Sequence, residues 1–392
     1  MSVLKKTLGL ADLTLFGLAS ILGSGGFNLI GDAVGAGGAW WPGSLAVSAA
    51  VLGGASWSYT RAFSVTGGSA TSESDIIKKM FGFETPTVIT ILFWNIVSIA
   101  VILVLCSSLL FPQSGWGTQV GFSLALLGAM TAFSLAGIET NSKAIDWMTW
   151  AMLVFLTAAA GIGGWAALNG REIMRNKTAP SEFSFSKSVM FFFFVLAGFD
   201  VLIKFAAETQ DAAFAIPASF FLSNGISDII VFGIAAAISA FVAGTSGHSA
   251  LPNLFGKFFG PSVCAAVCFA IILFMLVTTF VVFLSTTRYL FGIGEKHKEL
   301  DWLTTLNNFK APVNASLVVG VLTAGFLLLN NLDILIDIAN VFLVGLLAMV
   351  TLSVLKIDWL DKWWASVIIE VGTLVGLGGL LREAVIELMG SI

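Results

Sequence analysis

Ser20-Ile21-Leu22-Gly23-Ser24-Gly25-Gly26-Phe27 interrupts an apolar segment that runs from Leu13 to about Ile30. Glycine weakens a helix and lets another backbone come close. Inside a bilayer no water pairs exposed backbone, so irregular chain at that depth is stable only when buried in protein or lining a cavity. A glycine-rich break in an apolar helix therefore marks a candidate binding site. Taken alone, the same glycines also suit close helix packing. A second interruption favours the site: Phe191-Phe-Phe-Phe194-Val-Leu-Ala197-Gly198-Phe199-Asp200 lies in the middle of another apolar segment. Two broken helices, half a chain apart, point to a transporter.

Composition sets the class. With 57% hydrophobic residues, 11% charged residues and a mean hydropathy of +0.96, the chain has too little polar surface for a water-soluble domain. It reads as an all-α integral membrane protein in contact with the lipid bilayer. The net charge of −4 is spread thinly, without a basic tract for nucleic acid. Cys106, Cys264 and Cys268 lie in apolar stretches with no His or third Cys nearby, so neither a metal site nor a disulfide is expected. No nucleophile and base are spaced for catalysis, which argues against an enzyme and any resident cofactor.

About 20 apolar residues span a bilayer. Eleven stretches qualify: 12–31, 39–60, 86–111, 118–137, 146–168, 188–207, 215–243, 259–290, 313–330, 332–355 and 363–388. A cytoplasmic N-terminus places thirteen of the 19 basic residues inside, the sense of the positive-inside rule. Helices 1–5 (12–168) and 6–10 (188–355) form two halves, each beginning with a broken helix. An odd number of helices per half makes the halves opposite in topology, a 5+5 inverted repeat with its site at the midplane. Helix 11 (363–388) stands outside the repeat, and its Gly372-x-x-x-Gly376 spacing suits packing or oligomerisation. The sequence leaves the oligomeric state open.

Gly17-Leu-Ala-Ser-Ile-Leu-Gly-Ser-Gly-Gly-Phe-Asn-Leu-Ile-Gly31 resembles the first-helix signature of the amino acid, polyamine and organocation transporters. Phe193 to Asp200, followed by Glu208-Thr-Gln-Asp-Ala-Ala-Phe-Ala-Ile-Pro217, is similar to that family's sixth helix and the loop after it. Thr287-Arg-Tyr-Leu-Phe291 and Ala311-Pro-Val-Asn-Ala315 resemble the end of its eighth helix and the start of its ninth. The order and spacing agree to about residue 355. Three residues depart from the pattern: Gly26 stands where Ile is usual, and Asn28 and Ile30 replace an apolar residue and Pro. Helix 5, from Trp147 to Leu168, lacks the Lys that stands in for a cation in some proton-coupled relatives.

The resemblance implies an amino acid permease working by alternating access, as a symporter or antiporter. Amides of Ser24, Gly25, Gly26 and Phe27, at the start of a half-helix, suit a substrate carboxylate. Carbonyls freed at Ser20, Ile21, Ala197 and Gly198 suit its ammonium group. Gly23 belongs to the same turn, and Phe194 and Phe199 are candidate walls. Asp200 either touches substrate or pairs with Lys204 one turn along. Glu208 is expected at a solvated gate. Thr278 and Thr279 are candidate Na⁺ ligands, or merely bond their own helix; Thr279 is favoured to face helix 1. The coupling ion is Na⁺ or H⁺. A polyamine or cationic amino acid carrier is the alternative in transport, and an ion channel or transporter-like sensor the alternative outside it.

Overall fold

The computed structural model of the protein describes residues 4–111, 113–169, 184–241, 250–329 and 332–391. Among these residues the chain is helical throughout, with isolated bridges at Leu8–Thr209 and Leu306–Pro312 in place of strands. The first half holds α1 (Leu10–Asn28), α2 (Ile30–Gly37), α3 (Trp41–Val65), α4 (Ser72–Phe81), α5 (Thr85–Leu110), α6 (Trp116–Ser134) and α7 (Ile138–Leu168). The second holds α8 (Phe185–Leu196), a 3₁₀ segment (Phe199–Glu208), α9 (Ala212–Phe241), α10 (Ala250–Phe259), α11 (Val263–Lys296), α12 (Val313–Leu327) and α13 (Leu332–Leu360). The chain closes with α14 (Trp364–Ser391). Seven of these helical stretches are long and apolar enough to cross a membrane. The all-helical membrane class expected from composition is what the structure shows.

Local signals set the element ends. Pro42 and Pro86 sit in the first turns of α3 and α5, where a missing N–H leaves no helical bond unmade. Ser184 caps α8 by accepting the Lys187 amide at 3.2 Å. α4 ends at Gly82, whose φ of 77° is the left-handed stop glycine adopts freely.

Burial separates the centre from the lipid face. The apolar stretch within Phe185–Glu208 is mostly buried and that within Trp364–Ile386 mostly exposed, so the former lies inside the bundle and the latter lines its rim. α1 packs between α9 and α11 and also touches the 3₁₀ segment. Glycine sets how near these helices come. A Cβ on Gly23 would fall 1.6 Å from Thr278 Oγ1, and one on Gly17 2.7 Å from Ser223 Cβ, so neither position accepts a side chain without helices moving apart. α14 docks in the same way: a Cβ on Gly376 would meet Val51 Cγ2 at 2.4 Å, which assigns that glycine to packing against α3.

The interruption in helix 1 differs from the expected one. The helix continues through Asn28 and the chain turns at Leu29, beyond the Gly23–Phe27 run. Each glycine weakens a helix by about 1 kcal/mol. Packing against α9 and α11 on both flanks offsets that. Side chains of residues 24–28 lie outside the described residues.

Candidate functional site

The second interruption is sharp. α8 ends at Leu196, Ala197 is extended at ψ 155°, and Gly198 takes φ 126° before the 3₁₀ segment begins. Only glycine adopts that φ without strain. It also brings Gly198 against helix 1, where a Cβ would lie 3.0 Å from Ser20 Oγ and 3.1 Å from Ser20 O.

This contact closes one side of a cavity of about 200 Å³. Ser20, Phe194, Ala197, Gly198, Asp200 and Thr278 all line it, so the structure brings those sequence-selected residues together. Ile21 is fully buried but not on the lining. Phe199 turns away into an aromatic cluster, its ring 5.3 Å from Tyr59 and 5.7 Å from Phe220. Gly23 acts beside the cavity, through the approach to Thr278. The walls are mainly apolar, with Trp94, Ile102, Phe191 and Val282 among them, and α5 and α13 add the amides Asn95 and Asn340. Ligand sites commonly combine apolar walls with a few placed polar groups in this way.

The two threonines divide their tasks opposite to expectation. Thr278 Oγ1 donates to Ala19 O across the α1–α11 interface at 2.5 Å, whereas Thr279 Oγ1 bonds Met275 O of its own helix at 2.8 Å. Neighbours on a helix diverge by about 100°, so only one can face α1. It is Thr278.

Asp200 pairs with Lys204 at 2.9 Å. Lys204 is fully buried and also reaches Asn95 Oδ1 at 3.4 Å. Its third neighbour is Glu73 of α4, with Oε2 3.8 Å away and no solvent exposure. Glu73 is not among the site residues expected from sequence. Its one signal was the decamer Ser72–Phe81, with acids in its first turn, Lys78 and Lys79 in its last and Gly82 after it. Burial pushes the Glu73 carboxyl up to about 7, against the pull of Lys204.

Glu208 is not at a solvated gate but fully buried. Its carboxylate accepts Arg288 Nε at 2.9 Å and Nη2 at 3.3 Å, and Arg288 Nη1 donates to Thr287 Oγ1 at 3.0 Å. Its carbonyl accepts the amides of Thr7 and Leu8 at 2.9 and 3.0 Å. A bidentate arginine and two amides account for the side chain and carbonyl together, which is what makes burying the charge tolerable.

No curated protein matches the chain. A family model described as amino acid permease matches residues 8–379, which take in both interruptions, the cavity and the buried charges. The chain therefore belongs to the amino acid permease family and is a multi-pass membrane transporter.

Proposed function

We propose that this permease is a secondary carrier of free amino acids, which it binds in the cavity between Ser20 and Ala197–Gly198 and releases to either side by alternating access. The observation that carries this reading is the lining itself: one carboxylate, a few hydroxyls and amides, and otherwise apolar wall. Asp200 suits a single ammonium group, which favours one α-amino group over the several of a polyamine. The apolar wall suits a large, uncharged side chain. The glycines make Ser24–Phe27 the turn of helix 1 that opens most cheaply, and opening it frees amides for the substrate carboxylate.

The two halves act as an inverted 5+5 repeat with the N-terminus in the cytoplasm, as the distribution of basic residues supports. The coupling ion is Na⁺, for which Thr278 and the Ala19 carbonyl are the oxygens at hand, or H⁺. Thermal stabilisation of purified protein, screened against the twenty amino acids and common polyamines, tests the substrate class. Large apolar amino acids are expected to raise the melting temperature, and their methyl esters and N-acetyl derivatives to have no effect. Stabilisation by polyamines and not by amino acids overturns the reading. Replacing Na⁺ with choline at fixed pH and voltage tests sodium coupling, which uptake unaffected by the exchange rules out.

A further inference from the structure

Three ionisable groups meet just beneath the cavity with unequal partners. Lys204 Nζ lies 2.9 Å from Asp200 Oδ2 and 3.8 Å from Glu73 Oε2, and all three residues are at most 1% exposed. One ammonium cannot match two carboxylates, so with both ionised the cluster holds an uncompensated buried negative charge. Asp200 has the close contact. Both oxygens of Glu73 lack a hydrogen bond.

Among the described residues, the surroundings of Glu73 supply no second cation. From α3, Tyr59 faces it with a hydroxyl that falls short of hydrogen-bond geometry, and Tyr289 of α11 is a second buried phenol close enough to feel its charge. From α5, Asn95 gives its Oδ1 to Lys204 and its Nδ2 to Ile91 O. From α13, Lys356 is engaged at the far end of α4, by Met80 O and the face of the Phe81 ring. On α4 itself Asp75 is held by Lys296, Ser69 and Thr71. Glu84 shows the contrast, since Lys78 beside it holds its carboxyl below the usual range while burial drives Glu73 upward. Asp200 is the member of the cluster that faces the cavity, and Glu73 is not on its lining.

We propose that Glu73 is a proton-binding site whose charge decides which carboxylate Lys204 serves, so that proton and substrate occupy the carrier in alternation. This rests on the carrier reading above. The Glu73 carboxylate takes up one proton, and the cluster passes from a charge of −1 to 0. Lys204 then stays on Asp200, and Asp200 is closed to any other cation. Loss of the proton restores the Glu73 carboxylate, which draws Lys204 across the remaining gap. Asp200 is then free for the substrate's ammonium group. Substrate entering one way and a proton leaving the other is exchange, and its directional consequence differs from that of co-transport.

Two measurements test this on the full chain. In proteoliposomes clamped at zero voltage, uptake of a labelled mixture of the twenty amino acids is followed with the interior one pH unit more acid or more alkaline than the medium. Wild type is expected to accumulate substrate only with the acid interior, up to about tenfold for one proton per substrate. Glu73→Gln, isosteric and unable to titrate, is expected to respond to neither gradient. Accumulation with the alkaline interior, indifference of wild type to both gradients, or a Glu73→Gln response equal to wild type overturns the proposal. The second measurement needs no substrate: in an infrared titration, purified wild type is expected to lose more protonated-carboxyl absorbance between about pH 6 and 8 than Glu73→Gln does, the difference being the band of one group. If the two titrations coincide, Glu73 is not the proton site. Protein that shows this band but takes up no amino acid under any gradient overturns the carrier reading and leaves the proton site standing.

Discussion

Gly198 shows how much can depend on a single missing side chain. Its φ of 126° and the 3.0 Å that separates a would-be Cβ from Ser20 Oγ are two independent obstacles to substitution. Gly198→Ala is expected to lose about 1–3 kcal/mol through backbone strain, read as a lower melting temperature in detergent, and to lose amino acid stabilisation as Ser20 is displaced. The threonine pair gives a sharper comparison. Thr278→Val removes the hydroxyl that joins α11 to Ala19 O and should cost about 1 kcal/mol. Thr279→Val removes only a bond within its own helix and should change the melting temperature little. Equal effects of the two substitutions would contradict the assigned orientation.

At the scale of helices, α14 is tied to the bundle by more than apolar contact. Arg61 of α3 pairs with Asp358 of α13 at 2.6 Å and lies 4.3 Å over the Trp363 ring. Ser366 of α14 bridges Asp358 and Glu370, and Trp57 donates to its hydroxyl at 2.7 Å. Arg61→Ala leaves Asp358 buried without its cation. It is expected to destabilise the protein by about 3 kcal/mol, with Arg61→Lys recovering part, as thermal unfolding would show. Helices like these were legible in sequence because the length of an apolar run is a one-dimensional property. The run 86–111 became α5, Thr85–Leu110, and the run expected to start at 332 became α13, Leu332–Leu360. The short polar helix α4 was not, since ten residues with two lysines and two acids carry no membrane signal. Glu73 went unseen with it: what makes it unusual is the neighbourhood of Lys204, 131 positions away, which no local pattern encodes. Thr278 and Thr279 failed for a related reason, because rotational phase about a helix axis is set by its partner.

For the molecule as a whole, the Glu73 shift predicts a pH slope in stability. An acid whose pKa rises on folding keeps its proton in the native state after the unfolded chain has released it, so stability is full below the unfolded value near 4.5 and declines until about pH 7. The loss should approach about 3 kcal/mol. Glu73→Gln should flatten that part of the melting-temperature profile, and a slope unchanged by the substitution would assign it to other groups. A different consequence follows from the way Glu208 ties the N-terminal segment to the centre. Its carbonyl holds the amides of Thr7 and Leu8, and the Gln210 amide donates back to Leu8 O at 2.8 Å. Three amide hydrogens at the start of the chain and after the 3₁₀ segment therefore exchange with solvent deuterium only when that seam parts, which makes them a built-in clock for the opening of the protein on that face.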